Sequence, residues 1–313
     1  MSQDAQRMER RDFIRRAAGL GAVLGAEKRA RSRTSGMYLS LNGSLTGGKV
    51  AWPEFARLAA RTGYGGTDVH LAAARKAGVD STRALFAELK IKASNAGLPV
   101  TFNRDQETFE RGLADLDDAA RFAAAIDCPT FLTVLPPASQ TPKAEFRKTM
   151  KERLTRTGEI LRRSKIRLGL EFLGPLHFRT SQPYEFIWRM DETLEFAKEC
   201  GPNVGLLLDV WHWYHAGATL ADIAAAGSER IYHIHLSDCV KETPEQVRDN
   251  QRVLPGEGVI PLVPFFEALA GIGYQGGVSP EPIGRIPQEM SAEEGARLGF
   301  DTALAVMRKA GVA

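Results

Sequence analysis

The chain of 313 residues has only three cysteines, Cys128, Cys200 and Cys239, and no CxxC pair. An odd count at wide spacing excludes a disulfide framework and a cysteine-rich zinc site. Cys128 and Cys200 read as small buried apolar residues. No run of 18 apolar residues occurs, so there is no ordinary membrane span. Gly 30 and Pro 16 are ordinary fractions, which excludes collagen-like and low-complexity classes. No strand-like run is followed by G-x-G-x-x-G or a P-loop. Positive charge is also scarce once its distribution is considered. The formal charge is +3, from 41 basic and 38 acidic residues. Nine of those basic and four of those acidic residues lie within positions 1–35, so the rest carries 32 against 34 and is mildly acidic. Such a body lacks the electrostatic footprint of a nucleic-acid binder.

The first 35 residues stand apart. Arg10-Arg11-Asp12-Phe13-Ile14-Arg15 resembles a twin-arginine export signal, and an apolar, small-residue stretch follows over 17–26. The stretch is short, and Glu27-Lys28-Arg29 follows it without a clean cleavage site, so a basic tail is the competing reading. Export implies a periplasmic or secreted protein; without it the protein is cytoplasmic. Residues 1–35 are read as a leader and 36–313 as a single domain.

From residue 36, short apolar runs alternate with helical patterns. The runs fall at 37–41, 66–70, 99–102, 130–135, 168–172, 204–209, 231–236 and 277–281. Near-continuous apolar character suits parallel strands buried on both faces. Helical periodicity covers 55–60, 109–125, 142–163, 185–200, 262–272 and 292–310. Eight strands alternating with helical connections predict an α/β fold, a (β/α)₈ TIM barrel. An open doubly wound sheet is the alternative, weakened by the missing glycine-rich turn.

The six histidines (His70, His177, His212, His215, His233, His235) all lie on an expected strand or in the loop after it. In a barrel that is the C-terminal face, where active sites sit. Glu171, Asp209, His235 and Glu281 end four consecutive strands, each preceded by apolar residues. Three buried carboxylates repel one another and lose hydration, and a divalent cation relieves both costs. Three oxygens and one imidazole favour one Mn²⁺, Mg²⁺ or Co²⁺, with Zn²⁺ still open. His233 is read as a packing histidine on the face away from His235.

Several motifs now carry a family resemblance. They are Leu170-Glu171-Phe172-Leu173-Gly174-Pro175, Asp209-Val210-Trp211-His212, His233-Ile234-His235-Leu236-Ser237-Asp238, Pro255-Gly256-Glu257-Gly258 and Glu281-Pro282. In order and spacing they resemble the sugar phosphate isomerase/epimerase family of xylose isomerase-like TIM barrels. The resemblance implies that Glu171, Asp209, His235 and Glu281 bind one divalent metal. It also implies that Glu171 and Glu281 act as an acid/base pair, moving a proton next to a carbonyl through a metal-stabilised enediolate. His212 falls where the family contacts a substrate oxygen, although a role orienting Glu171 is nearly as good a reading. Lys241 falls where some epimerases place a basic substrate contact.

Arg252, before the P-G-E-G turn, and the loop residues His177 and Arg179 are further candidates for substrate binding. Trp211, Trp213 and Tyr214 read either as a platform for sugar C–H faces or as packing. Many relatives end strand two in Glu; here the stretch is Asp68-Val69-His70-Leu71, and His70 either joins the polar site or fills a packing place.

The expected function is a metal-dependent isomerase or epimerase of a keto sugar or related polyol. The alternative is a lyase or dehydratase acting on a keto sugar, keto-glycoside or keto-inositol with the same site. Minor alternatives are an inactive sugar-binding barrel and an abasic-site endonuclease, the latter disfavoured by the acidic body. The partners implied are a small carbohydrate, no nucleic acid and no stable membrane span. Oligomeric state is not readable in the chain, although members of the family are often dimers or tetramers.

Overall fold

The computed structural model describes residues 36–313, so the export-signal reading lies outside the described residues. Eight parallel strands close into a barrel. They are β1 (Tyr38–Leu41), β2 (Gly66–Val69), β3 (Lys92–Gly97), β4 (Thr130–Val134), β5 (Arg167–Glu171), β6 (Val204–Asp209), β7 (Ile231–Leu236) and β8 (Gly277–Pro280). Closure is made by β1 against β8, with Tyr38 opposite Gly277 and Leu39 opposite Val278. The principal helices between strands are α1 (Glu54–Thr62), α2 (Leu71–Ala77), α3 (Val79–Leu89), α4 (Gln106–Ala125), α5 (Lys143–Arg163), α6 (Met190–Cys200), α7 (Val210–His215), α8 (Leu220–Ala226), α9 (Leu262–Gly271) and α10 (Ala292–Lys309). Among the described residues no helix is long and apolar enough to cross a membrane.

Two faces of each strand have different chemistry. Leu168, Leu170, Leu206, Leu208, Ile234, Leu236 and Val278 are buried and belong to the continuous hydrophobic core. The opposite face is polar. Asn95 on β3 donates to Asp68 Oδ1 on β2 at 2.8 Å, and its Nδ2 lies 3.3 Å from His233 Nε2 on β7. His233 Nε2 is 2.7 Å from Ser279 Oγ on β8. Strands β3 and β7 are not neighbours in the barrel, so the contact between them crosses its interior. Gly277 makes room for this network, because a Cβ there would lie 2.7 Å from His233 Cε1.

The third strand departs from expectation. It runs over Lys92–Gly97, not 99–102. Its sequence, Lys-Ala-Ser-Asn-Ala-Gly, has few of the β-branched and aromatic residues that mark a strand. Ser94 and Asn95 are there for the polar interior; Ser94 Oγ accepts from Ser40 Oγ at 2.8 Å. Val100 and Phe102 are buried in the loop that follows. A second departure lies before α6, expected to begin at 185. The chain there makes a two-residue antiparallel pairing, Tyr184–Glu185 with Ala138–Ser139, before the helix starts. The three cysteines are free and buried.

Candidate metal centre and active site

Asp209 ends β6 and caps α7. Its Oδ1 accepts from the backbone N–H of Trp211 at 2.7 Å and of His212 at 3.3 Å. This explains the D-x-x-H spacing: an N-cap carboxylate bonds the N–H groups of the first turn, and His212 sits on that turn. Two residues beyond β7, Asp238 acts as a second anchor. Its carboxylate accepts from the N–H groups of Cys239, Gly256, Gly258 and Ile260, at 2.9 to 3.1 Å. The P-G-E-G turn is thereby tied to the end of β7. Gly258 is required there, since a Cβ would lie 2.2 Å from the Cys239 carbonyl. That tie carries Arg252 over the mouth of the barrel.

The four strand-end residues converge. Ligand atoms of Glu171, Asp209, His235 and Glu281 all lie within 4.8 Å of one another. His235 Nδ1 is 3.2 Å from Glu171 Oε1 and 3.1 Å from Glu281 Oε2. Register supports this, with Asp209 opposite His235 across β6 and β7. Asn42, just after β1, donates to Glu281 Oε1 at 3.3 Å.

Burial pushes Glu171 up to about 7, although His235 beside it pulls the other way. Burial would lower His235, but Glu281 and Glu171 raise it well above its ordinary value. For Asp209, burial is overcome by Arg252, His212 and His235, which hold it at about 2. Without a cation the cluster must therefore keep protons to limit carboxylate repulsion. Three carboxylates and one imidazole, mutually within reach, fit a single divalent metal ion.

Arg252 is 3% exposed. It donates to Asp209 Oδ2 at 2.6 Å, Glu281 Oε2 at 3.2 Å and Asp249 Oδ1 at 2.7 Å, and stacks over Trp211 at 4.7 Å. The residue expected as a substrate contact is a buried cation engaged with two of the candidate ligand carboxylates. Trp211 and Trp213 are buried at 1% and 3%, so they pack the rim rather than form a sugar platform; Tyr214 is the exposed member. Lys241 is exposed and lies with Arg179, Tyr214, His215 and Val247 around a cavity of about 100 Å³ at the C-terminal face. His177 lies beside Phe178, ring centroids 4.1 Å apart and tilted, in a one-turn helix (Leu176–Arg179) after β5.

Two readings of individual residues change. His233 does not face away from His235. Residues two apart in a strand share a face, and both rings enter the barrel with centroids 5.7 Å apart. His70 stacks on Phe55 at 4.5 Å and lies beside Trp52, which is the packing alternative. The carboxylate on β2 that turns toward the centre is Asp68, raised to about 6 by burial and influenced by His235 and Glu281. Strand alternation could have found it, since the strand ends at Val69. Asn42 lies in a loop and Asp249 opens a single 3-10 turn (Asp249–Gln251), and neither leaves such a signal.

His215 provides a test of this electrostatic picture. Burial first, then Arg252, lowers it to about 4. An unfolded histidine binds protons below about 6.5 while the native one stays neutral, so His215 costs stability as pH falls from about 6.5 to about 4. Thermal melts of His215→Gln at pH 7 and pH 4.5 are expected to differ by less than those of the wild type. An equal or larger difference contradicts the assignment.

The comparisons follow the same geometry. Residues 56–303 match the family model described as xylose isomerase-like TIM barrel. The chain is 26% identical over 234 residues to the inosose isomerase of Halalkalibacterium halodurans, covering 74% of this chain and 80% of that protein. Shorter matches are to the inosose dehydratase of Geobacillus thermodenitrificans, 33% identical over 28% of this chain and 33% of that protein, and to the D-psicose 3-epimerase of Enterocloster bolteae, 29% identical over 30% and 28%. These relatives are all named as enzymes. Among solved structures, a xylose isomerase domain protein from Alicyclobacillus acidocaldarius is 30% identical with a TM-score of 0.80, covering 88% of this chain and 99% of that one. The IOLI protein, solved with a bound zinc atom, shares the fold at 22% identity and a TM-score of 0.73, over 87% of this chain and 99% of that one. With closed barrel, strand-end cluster and family model in agreement, the chain belongs to the xylose isomerase-like TIM barrel family.

Proposed function

We propose that this enzyme is a metal-dependent isomerase or epimerase of a keto sugar or cyclic keto polyol. The carrying observation is that Glu171 and Glu281, from strands separated by β6 and β7, approach one histidine nitrogen at 3.2 and 3.1 Å. Two carboxylates that meet around one point from different strands can address a substrate from two sides. One takes the proton next to the carbonyl, and the other returns a proton to a neighbouring position or to the opposite face. A divalent cation held by Glu171, Asp209, His235 and Glu281 supplies Lewis acidity for charge that develops on a substrate oxygen. Asn42 steadies Glu281, and Asp209 fixes the turn that presents His212. Mn²⁺, Mg²⁺ or Co²⁺ suits the oxygen-rich donor set, and Zn²⁺ also fits it.

A lyase reading rests on the match to an inosose dehydratase and uses the same first proton transfer. It ends in loss of a β-hydroxyl instead of proton return. One experiment separates them: keto hexoses and keto-inositols are incubated in D₂O with Mn²⁺ and followed by NMR. Deuterium next to the carbonyl without loss of water is the expected result, abolished by chelation and restored by Mn²⁺. An unsaturated product would establish the lyase. Absence of both with metal bound would remove the proposal. The leader motif supports an extracytoplasmic carbohydrate as substrate; an intact leader on purified cytoplasmic protein would overturn that part.

A further inference from the structure

Every nitrogen of the Arg252 guanidinium is engaged. Nε and Nη2 both donate to Asp249 Oδ1, at 2.9 and 2.7 Å, and Nη1 donates to Asp209 Oδ2 and Glu281 Oε2. Nη2 also lies 3.2 Å from His212 Nε2. A guanidinium has donors and no acceptor. His212 Nε2 must therefore accept, and the neutral ring carries its proton on Nδ1. That Nδ1 has no hydrogen-bond partner among the described residues, on a side chain 2% exposed. A buried donor left unpaired is costly and calls for an explanation.

We infer that Arg252 is a positioning residue that fixes the Nδ1–H tautomer of His212, keeping a buried N–H free to donate to an oxygen of a bound polyhydroxy ligand. The ligand in this statement rests on the proposed function; the tautomer does not. Asp249 is the outer anchor. It is 29% exposed at the side chain and grips Arg252 from the solvent side, within a turn of its own sequence. The chain of causes runs from Asp238, which pins the loop, through Arg252, to the proton on His212.

The test uses the full chain labelled with ¹⁵N-histidine, loaded with diamagnetic Mg²⁺ and free of substrate. Long-range ¹⁵N–¹H correlation is expected to show His212 with a protonated Nδ1 and a bare Nε2. Arg252→Lys supplies another donor-only cation and keeps that form. Arg252→Met releases it, giving a mixture or the Nε2–H form. Asp249→Asn covers the case in which Arg252→Met does not fold, and is expected to give a mixture. A wild-type proton on Nε2, or an unchanged Nδ1–H form in Arg252→Met, overturns the inference. In turnover, Arg252→Met is expected to raise KM about tenfold with partial rescue by Lys, the worth of one hydrogen bond. Failure to turn over any keto sugar would sink the proposed function and leave the NMR result standing.

Discussion

Glu281→Gln is expected to lower kcat/KM for proton exchange on a keto sugar by about 10²–10⁴-fold, the range supplied by a positioned acid/base group. The substitution keeps size and hydrogen-bonding shape and removes the ability to take a proton. Asn42 still has an amide oxygen to donate to, so the side chain stays in place. Glu281 is also one of the four metal-ligating candidates, and an amide oxygen is a weaker ligand for a hard cation. The two losses are separable. Raising Mn²⁺ to saturation restores the part due to metal affinity and leaves the part due to the missing base. Deuterium exchange at the substrate carbon, measured by NMR at saturating Mn²⁺, is the check. Exchange within a few-fold of wild type would show that Glu281 is a ligand only.

Asp209→Ala is expected to have the largest effect on stability. Asp209 is fully buried and paired with Arg252, whose side chain is 2% exposed, at 2.6 Å. Arg252 keeps Asp249 and Glu281, so losing its shortest partner is expected to cost the lower end of the about 3–5 kcal/mol of a broken buried pair. The cap of α7 disappears as well, worth about 1 kcal/mol. Roughly 2–4 °C per kcal/mol then predicts a fall in Tm of roughly 10 °C or more. Asp209→Asn retains an oxygen for the N–H groups of Trp211 and His212, so it should keep the cap and lose only the charge. Melts in the presence of chelator isolate this effect from metal binding. An alanine variant melting within ~2 °C of wild type would show that Arg252 does not depend on Asp209.

The barrel was legible because most of its strands are apolar runs that stand out from their surroundings. β3 was not, because Ser94 and Asn95 serve a polar interior and leave no β-like pattern. The four metal-ligating candidates were legible for a related reason: an acid or imidazole at the end of an apolar strand is conspicuous. Their neighbours were less so. Arg252 reads in the sequence as a substrate-binding candidate only, because the tie that holds its loop, the Asp238 carboxylate on four backbone N–H groups, has no sequence period. Asp68 and His70 share one parity, but β2 ends at Val69, so Asp68 keeps the inward face while His70 leaves the strand and packs on Phe55. His233 shares the inward face with His235, two residues on, and its contact with Asn95 across the barrel follows from that parity.

The account stands on a single metal ion held by Glu171, Asp209, His235 and Glu281. Metal content by plasma mass spectrometry, on wild type and Glu281→Gln equilibrated with Mn²⁺, Mg²⁺, Co²⁺ and Zn²⁺ in turn, tests this most directly. About one divalent ion per wild-type chain is expected, with weaker retention in the variant, where one of four ligands is weakened to an amide oxygen. Three zinc ions per chain, or no retained ion with any of the four metals, would contradict it.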